Sequence, residues 1–463
     1  MIFYKKRLKT PPVKKFYFAF DDFSGGMNSK KFGDISAKYA EVCFNTDGEY
    51  GAFKQGLGFD LPDINASVFI PPAKQICCFC MDGQDFLAVV NQSDQLMVLP
   101  VNGNEWQVVS NVKGRAKLLP YRQKQKVVLL VFDDNGLSQW DGAQTTLICS
   151  NPLLDDVVVY FDRVFGIDKN DNTLLRFCTQ LNPAEWTDKQ GNMGYILLND
   201  NFGKITKLAL LDNLLYVFGE QKIAKIQATA SPQEIIVQKI YTLNGKIKTN
   251  TIQVCGDKIM FLCDDGLYIF DGNNTTKVCD DLQNNFKDSQ NASCFFNTKY
   301  YLACKMDFCD GRRICCENDV FNNNVLIEYD LQKEKTTIAR GVDISCLTCA
   351  KDKVFFVADG KIGQVSDSGN FFGKPLEKVW ESAFGDFDIC GKKVIKSVQL
   401  HTITNLVIKI WADGRLYAFN VNGNKNLQKL KLGVTGEIFK ICFETTSSKP
   451  FVFKPVFEVV YGG

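Results

Sequence analysis

The sequence predicts an all-β protein, a β-propeller of about six or seven blades with a small terminal β-sandwich or platform. Three observations predict this fold. Short strand-like runs closed by Gly, Asn or Asp turns recur along the chain, a hairpin unit returns at intervals, and few segments show a sustained helical period. The 463 residues also include 37 Phe, 35 Gly and only 13 Pro. Aromatic residues and glycine turns favour strands over helices.

The clearest predicted strands are short runs rich in β-branched and aromatic residues. Their length and their turn boundaries are typical of strands rather than of helices. They occupy residues 86–90, 126–132, 214–218, 258–262, 299–303, 325–329 and 353–357.

A unit of strand, acidic-glycine turn and strand repeats through the middle of the chain. It occurs at 131–142 (VFDDNGLSQWDG) and 262–272 (LCDDGLYIFDG), more loosely at 357–365, and as a variant at 217–226. Asp-Gly and Asn-Gly supply the positive φ angles of a tight hairpin turn, so each copy predicts a hairpin. Hairpins that return every ~40–50 residues indicate propeller blades, and residues 61–372 would hold six or seven of them. A β-sandwich with irregular strands is the alternative.

The two ends of the chain differ from the middle. Residues 1–60 contain a basic arm, an aromatic strand at 16–20 and a glycine-rich stretch. Residues 373–463 contain alternating strands at 397–401, 406–411 and 455–461. We therefore expect an N-terminal arm and platform segment (1–60), a propeller (61–372) and a C-terminal β-sandwich (373–463), with N-terminal strands completing the sandwich.

Charge and apolar patterning narrow the class of protein. The 54 Lys and Arg nearly balance the 52 Asp and Glu, which argues against a strongly basic nucleic-acid binder. No apolar run reaches the ~18 residues of a membrane span, and the first fifteen residues lack the apolar core of a secretory signal. The 18 cysteines are too dilute for a disulfide framework. We expect them to be free thiols that act as small core hydrophobes in a reducing cytoplasm.

Cysteine spacing offers only weak metal sites. Cys346 and Cys349 form a CxxC pair, but it continues towards a strand, whereas a zinc ribbon requires paired spacings brought together by tight turns. The best candidate is the polar loop that contains Cys309, Cys315 and Cys316. A loop with spare thiols is the simpler interpretation, and we expect no metal and no cofactor.

Catalytic constellations are equally weak. His401 is the only histidine, and it falls in an alternating strand, where a structural role is expected. The carboxylate pairs 133–134, 155–156 and 264–265 are adjacent in sequence and occupy turns, so they do not face each other across a sugar. No glycine-rich phosphate loop follows a strand. The sequence therefore predicts a protein that is not an enzyme.

Two basic clusters remain. We interpret them as solvated faces or subunit contacts, with transient contacts to a DNA backbone as the alternative. The second cluster comprises Lys374, Lys378, Lys392, Lys393 and Lys396. The first cluster, our candidate site, comprises Lys113, Arg115, Lys117, Arg122, Lys124 and Lys126.

Several segments, taken in order, resemble a family of bacteriophage tail proteins. The opening "GG-hydrophobic-Asn" pattern of that family is similar to 23–28 (FSGGMN), followed by 41–45 (EVCFN) and 51–58 (GAFKQGLG). A family blade is similar to 163–166, 175–177 and 181–188 (LNPAEWTD), then to 194–196, 204–208, 215–226 and 262–268. The C-terminal sandwich pattern is similar to 380–400. Residues 304–324 are longer and richer in cysteine than the family's turn, and the tryptophan expected after Asp330 is absent.

This resemblance implies the tail nozzle, or tail hub, protein of short-tailed phages. It implies propeller-bearing subunits, assembled in the host bacterial cytoplasm, that form a homo-oligomeric ring, a hexamer, in the virion tail below the portal and its adaptor. Such a ring contacts other tail proteins, extends the channel for double-stranded DNA, binds that DNA without sequence preference and retains the packaged genome until ejection. A receptor- or carbohydrate-binding propeller of the virion or host is the alternative, and a propeller hydrolase is a third, weaker one.

Overall fold

Strands connected by tight turns make up nearly all of the described chain. The computed structural model describes residues 13–28, 38–63, 69–123, 126–186, 194–198, 201–229, 234–282, 286–308, 323–447 and 452–462. Two single 3-10 turns, Thr249–Thr251 and Asp280–Leu282, interrupt the strands. Within these ranges, no helix has the length and apolar character needed to cross a membrane.

The first five strands belong to three different sheets. They precede the first blade in the chain and connect the two halves of the molecule. They are β1 (Val13–Ala19), β2 (Val42–Phe44), β3 (Thr46–Glu49), β4 (Ala52–Gln55) and β5 (Gly58–Asp60).

The middle of the chain forms antiparallel four-stranded sheets, each built from strands consecutive in sequence. The first three blades contain β6 (Ala73–Met81), β7 (Gln84–Asn91), β8 (Gln95–Pro100) and β9 (Gln107–Asn111); β10 (Lys117–Gln123), β11 (Lys126–Asp133), β12 (Gly136–Trp140) and β13 (Thr145–Cys149); and β14 (Leu154–Tyr160), β15 (Arg163–Asp168), β16 (Leu174–Phe177) and β17 (Gly194–Leu197).

Three further blades follow in the same pattern. They contain β18 (Ile205–Leu211), β19 (Leu214–Gly219), β20 (Lys222–Gln227) and β21 (Ile236–Thr242); β22 (Gln253–Cys255), β23 (Lys258–Cys263), β24 (Gly266–Phe270) and β25 (Thr275–Val278); and β26 (Phe286–Phe296), β27 (Lys299–Met306), β28 (Asn324–Asp330) and β29 (Lys335–Arg340).

The seventh blade closes the ring with a strand from the N-terminal segment. Its own three strands are β30 (Cys346–Ala350), β31 (Lys353–Ala358) and β32 (Lys361–Ser366), and β5 pairs antiparallel with β32 as the fourth. Two short strands, β33 (Asn370–Phe371) and β34 (Lys374–Pro375), extend this sheet outwards. The innermost strands β6, β10, β14, β18, β22, β26 and β30 are neighbours in that order, and β30 returns to β6. The protein is a seven-bladed β-propeller.

The prediction of a propeller with six or seven blades is confirmed. Each clearly predicted strand is a central strand of its blade, six of them the second strand and 325–329 the third. The four repeated units are the hairpins between the second and third strands of blades 2, 4, 5 and 7. The turns in blades 2, 5 and 7 use the positive φ that the Asp-Gly and Asn-Gly patterns predict, for example 49° at Asp359 and 70° at Gly360.

The C-terminal strands form a two-layer sandwich with the N-terminal strands. The later strands are β35 (Lys378–Glu381), β36 (Lys393–Thr402), β37 (Leu406–Ala412), β38 (Arg415–Val421), β39 (Asn424–Gly436), β40 (Phe439–Thr445) and β41 (Val452–Gly462). One sheet has the order β2-β35-β40-β37-β38, and the other has β3-β4-β41-β36-β39 with β1 also paired to β41. N-terminal strands thus complete both sheets of the predicted terminal sandwich.

Propeller and sandwich share one hydrophobic core. A single cluster of buried side chains runs from Met260 and Tyr300 in blades 5 and 6 to Trp380 and Phe443 in the sandwich. A large apolar interface restrains the relative motion of two domains. The sandwich is therefore held against the rim of the propeller by side-chain packing and not only by the connecting chain.

Most described cysteines are buried or partly buried, as small core residues, and all fifteen of them are free thiols. Burial raises the pKa of Cys43 to about 11 and that of Cys255 to about 12, which keeps these thiols neutral and unreactive. Cys80 and Cys390 are the exposed ones among the described cysteines.

Native-state alkylation will separate these two groups. With iodoacetamide at neutral pH, we expect mass spectrometry to find Cys80 and Cys390 modified first because thiol reactivity requires access. Buried Cys304 and Cys442 should react only after denaturation. Modification of Cys442 in the folded protein as fast as that of Cys390 would contradict the burial described above.

Truncation of the closing strand will destabilise the propeller. The Phe59 side chain is fully buried, and its ring centroid lies 5.5 Å from that of Phe356 and 5.9 Å from that of Phe371. We expect Phe59→Ala to lower the free energy of unfolding by about 3–5 kcal/mol, the usual cost of emptying such a site, measured by urea denaturation. Phe69→Ala is the matched control because Phe69 is 74% exposed. Equal midpoints for the two variants would argue against closure by β5.

Candidate functional site

The innermost strands of the propeller surround a cavity of about 510 Å³, here called the propeller channel. Strands β6, β10, β18, β22, β26 and β30 or the turns beside them line it, so six of the seven blades contribute. Concave sites with a few convergent polar groups are where propellers and other folds bind ligands. Its polar wall is formed by Lys74, Gln75, Arg115, Lys117, Lys207, Asn250, Gln253, Asn291 and Ser293.

A buried carboxylate from the remaining blade lies behind two of these lysines. Asp156 on β14 is 5% exposed. One of its oxygens lies 2.6 Å from Lys117 Nζ and 3.5 Å from Lys207 Nζ, and the other accepts the backbone N–H of Leu208 at 2.9 Å. Burial opposes ionisation of Asp156, but Lys207, Lys117 and the hydrogen bonds outweigh it and lower its pKa. Asp156 thereby links the inner strands of blades 2, 3 and 4.

Side chain to backbone hydrogen bonds connect other neighbouring blades around the channel. Gln75 Nε2 donates to the carbonyl of Ala116 at 2.7 Å, between blades 1 and 2. Gln253 Nε2 donates to the carbonyl of Ser293 at 2.9 Å, between blades 5 and 6. Such bonds satisfy buried polar groups and fix the register of adjacent blades.

The structure divides the first predicted basic cluster between the two ends of blade 2. Arg115 and Lys117 lie at the channel, and Lys113 is exposed beside them. Arg122 and Lys126 are exposed at the other end of β10, about 20 Å away at the usual rise of a strand. Lys124 lies outside the described residues. The cations are close in sequence but do not form one face.

Part of the second cluster is buried. Lys374, Lys392 and Lys396 are exposed, as a solvated face would require, but Lys378 and Lys393 are each only 1% exposed. The interpretation as a solvated face is therefore wrong for these two.

Both buried lysines donate hydrogen bonds to carbonyl oxygens rather than to solvent. Lys378 Nζ donates to the carbonyls of Gly369 and Leu376 at 2.9 and 2.8 Å, and burial lowers its pKa to about 8. Lys393 Nζ donates to the carbonyls of Gly391 and Glu437. The sequence could not reveal this because buried and exposed lysines are close together in the chain, as at Lys393 and Lys396 of β36.

The candidate catalytic carboxylates accept hydrogen bonds within turns or form ion pairs with lysines. Asp133 accepts the backbone N–H groups of Lys113 and Asn135, and Asp264 lies 2.7 Å from Lys248 Nζ. His401 Nε2 lies 2.7 Å from the carbonyl oxygen of Lys425, so the histidine has the structural contact that its strand position predicts. The candidate cysteine loop, residues 309–316, lies outside the described residues, and the described part of the chain contains no cluster of metal ligands.

The junction between propeller and sandwich is organised by Asn45, which sequence reasoning placed only within a motif. Its backbone has φ 57°, and its side chain is buried. Its Nδ2 donates to the carbonyls of Arg340 at 3.0 Å and Glu377 at 2.6 Å, and its Oδ1 accepts the N–H of Arg340 at 2.9 Å. One residue thus ties together β2, the outer strand of blade 6 and the segment that leaves blade 7.

A buried arginine packs directly beneath this junction. The Arg340 guanidinium is 1% exposed and lies 4.9 Å from the ring centroid of Phe44 and 4.0 Å from that of Phe308. Its Nη2 donates to Asn323 Oδ1 at 3.2 Å. Cation–π contacts of this kind are strongest when desolvated, so they help to offset the burial of the charge.

Four of the segments that carry the family resemblance meet at this junction. Phe23 packs edge-to-face on Trp380 and Phe53, with ring centroids 4.9 and 5.4 Å apart. A side chain at Gly48 would approach within 2.0 Å of the Phe23 carbonyl, so that position requires glycine. Segments 23–28, 41–45, 51–58 and 380–400 are far apart in sequence but adjacent in space.

No protein-family model matches the chain, and no curated protein matches it significantly. Among solved structures, the chain is similar to BBS1N in a crystal structure of its complex with ARL6DN, soaked with lead. That match has 11% identity and a TM-score of 0.43, and covers 70% of this chain and 97% of that one. It is also similar to the computationally designed Ika8 protein, with 10% identity, a TM-score of 0.39, and coverage of 65% and 98%.

Removal of the Asn45 side chain will loosen the junction. We expect Asn45→Ala to lower the free energy of unfolding by about 2–4 kcal/mol because two carbonyls and one N–H lose their partner and alanine is strained at positive φ. Urea denaturation followed by tryptophan fluorescence measures it. Asn297→Ala is the matched control, since Asn297 also has a positive φ, 48°, but an exposed side chain. Equal losses in both variants would mean that the hydrogen bonds at the junction contribute nothing.

Proposed function

We propose that the chain is a structural protein of a bacteriophage tail, a subunit of a ring below the portal and its adaptor. In this role it extends the DNA channel and retains the packaged genome. The observation that supports the proposal most directly is the meeting of the N-terminal and C-terminal family-like motifs at one place. Other family-like segments, such as 163–166, 215–226 and 262–268, lie in blades 3, 4 and 5, whereas the terminal motifs join the propeller to the sandwich.

A ring subunit must hold its two parts in a fixed relation because symmetric interfaces repeat any error around the ring. The shared core and the hydrogen bonds of Asn45 provide this rigidity. The ion pairs of Lys440 Nζ with Glu41 at 2.5 Å and Glu381 at 3.0 Å add a charged connection between N-terminal segment and sandwich. These features suit a rigid structural subunit better than a binding module whose two domains move about a hinge.

The DNA would pass between subunits and not through the propeller. A sphere with the volume of the propeller channel is about 10 Å across, less than the ~12 Å major groove of a DNA duplex alone. We therefore assign the DNA path to the lumen of the assembled ring. A chain with a net charge of +2 suits such a lumen, since many fixed cations would retain DNA by counterion release.

Reconstitution with the neighbouring virion proteins tests the proposal. Purified chain is mixed with the portal–adaptor complex encoded beside its gene and imaged by negative-stain electron microscopy. We expect an additional ring of density on the adaptor, with rotational symmetry. With Asn45→Ala, a smaller fraction of particles should carry this ring because the propeller and the sandwich are less firmly joined. With Asn297→Ala, the fraction should match that of the wild type.

The alternative function predicts a different outcome. A receptor- or carbohydrate-binding propeller would stay monomeric, add nothing to the adaptor and bind defined sugars on a glycan array. That combination would overturn the tail proposal.

A further inference from the structure

We propose that the propeller channel is a binding site for a small phosphate-class polyanion, held by Arg115, Lys117 and Lys207. This goes beyond the proposed function because a ring subunit needs no ligand at the centre of each propeller. The observations that carry it are the cavity, the sign of the charges that line it and the incomplete neutralisation of two lysines.

The described residues that line the channel include four cations and no carboxylate. The cations are Lys74, Arg115, Lys117 and Lys207. Lys74 pairs with Asp94 at 2.8 Å, with both side chains substantially exposed. Arg115 extends across the channel, where its Nη1 donates to Asn250 Oδ1 at 3.2 Å. The channel is therefore lined by positive charge from blades 1, 2 and 4.

One carboxylate behind the wall cannot neutralise both inner lysines. Asp156 holds Lys117 Nζ at 2.6 Å and Lys207 Nζ at 3.5 Å through the same oxygen, while its second oxygen is occupied by the N–H of Leu208. Adding Arg115, the group of four carries a net charge of +2 when all are ionised. An anion in the channel would supply the missing negative charge.

The pKa of Lys207 reflects this shortage of negative charge. Attraction by Asp156 raises its pKa, but burial, Lys117 and Arg115 outweigh that attraction and lower the pKa to about 8. A bound anion would favour the charged form and raise the pKa again. The lysine is thus arranged to gain a proton when the site fills.

The opposite wall supplies neutral polar groups. Asn291 is 5% exposed and Ser293 is 6% exposed, both on β26, and Gln253 lies beside them on β22. Side-chain amides complement cations around phosphate oxygens, and the Ser293 hydroxyl, which donates to the carbonyl of Asn250 at 2.9 Å, holds this wall in place. A volume of about 510 Å³ lies within the range of small-molecule sites, ~300–1,000 Å³, so the site suits an inorganic polyphosphate or a phosphate ester and excludes a DNA duplex.

Calorimetric titration of the full chain with inorganic pyrophosphate near neutral pH tests the site directly. We expect wild-type binding that weakens about tenfold or more in Arg115→Gln and in Lys207→Met, the effect of losing one charge-assisted hydrogen bond. Lys361→Gln is the control because Lys361 is an exposed lysine on β32 of blade 7, away from the channel lining. A single cooperative melting transition well above the assay temperature, without ligand, establishes that each variant folds. Absence of wild-type binding, or equal affinity in all variants, would overturn the proposal.

Proton uptake gives a second measurement that a merely structural lysine would not affect. Titration with sulfate, whose charge is constant near pH 8, is repeated in two buffers of different ionisation enthalpy. We expect proton uptake in the wild type and none in Lys207→Met. The charged groups around Lys207 are Asp156, Lys117 and Arg115, and the channel also contains Lys74, Cys77, Cys78 and Cys346.

Burial raises the pKa of the three channel thiols, so they remain protonated near pH 8 and release nothing. Uptake that persists in Lys207→Met would therefore contradict the role assigned to this lysine. The assembly experiment is independent, since a chain that forms the ring and ignores pyrophosphate would overturn this proposal alone.

Discussion

The backbone pairing of Gly58–Asp60 with Lys361–Ser366 joins the beginning of the propeller to its end, and the other parts of the molecule depend on it. Without that pairing, β32 would be an open edge, which invites mispairing with other chains. The same N-terminal segment has already given β2 to one sheet of the sandwich and β3 and β4 to the other. The same segment of about twenty consecutive residues therefore both closes the propeller and attaches the sandwich to it.

This short connection explains why a buried polar residue, Asn45, lies within an otherwise apolar junction. Between β2 and β3 the chain must turn sharply from one sheet to the other, and Asn45 does so with a positive φ. Asparagine tolerates that conformation, and its amide donates to the carbonyls of Arg340 and Glu377 on the propeller side of the junction. Asp156 has the same function at the centre of the propeller, where it joins three blades. Buried polar groups with defined partners fix register, which apolar packing alone leaves free.

The sequence revealed the central strands because they are apolar on both faces. Residues 126–132 and 353–357 are continuous runs, and their bounds agree with β11 and β31 to within one residue. Outer strands such as β17 and β21 are short or largely exposed, so no apolar period marks them. The closing strand β5 has only three residues, too few for any pattern. Its role follows from its pairing with residues three hundred positions away, which no local signal encodes.

At the candidate site the sequence does contain a local pattern, but that pattern suggested the wrong arrangement of the side chains. Six cations within fourteen residues suggested one basic face, but an innermost strand runs from one end of the propeller to the other. Arg115 and Lys117 therefore face the channel while Arg122 and Lys126 lie at the far end. The partner of the first two, Lys207, is ninety residues away and carries no motif. The cavity that these three cations line is too small to admit duplex DNA. The proposed binding of a small anion and the proposed passage of DNA thus use different surfaces of one subunit. A substitution that changes one of these surfaces can leave the other unchanged.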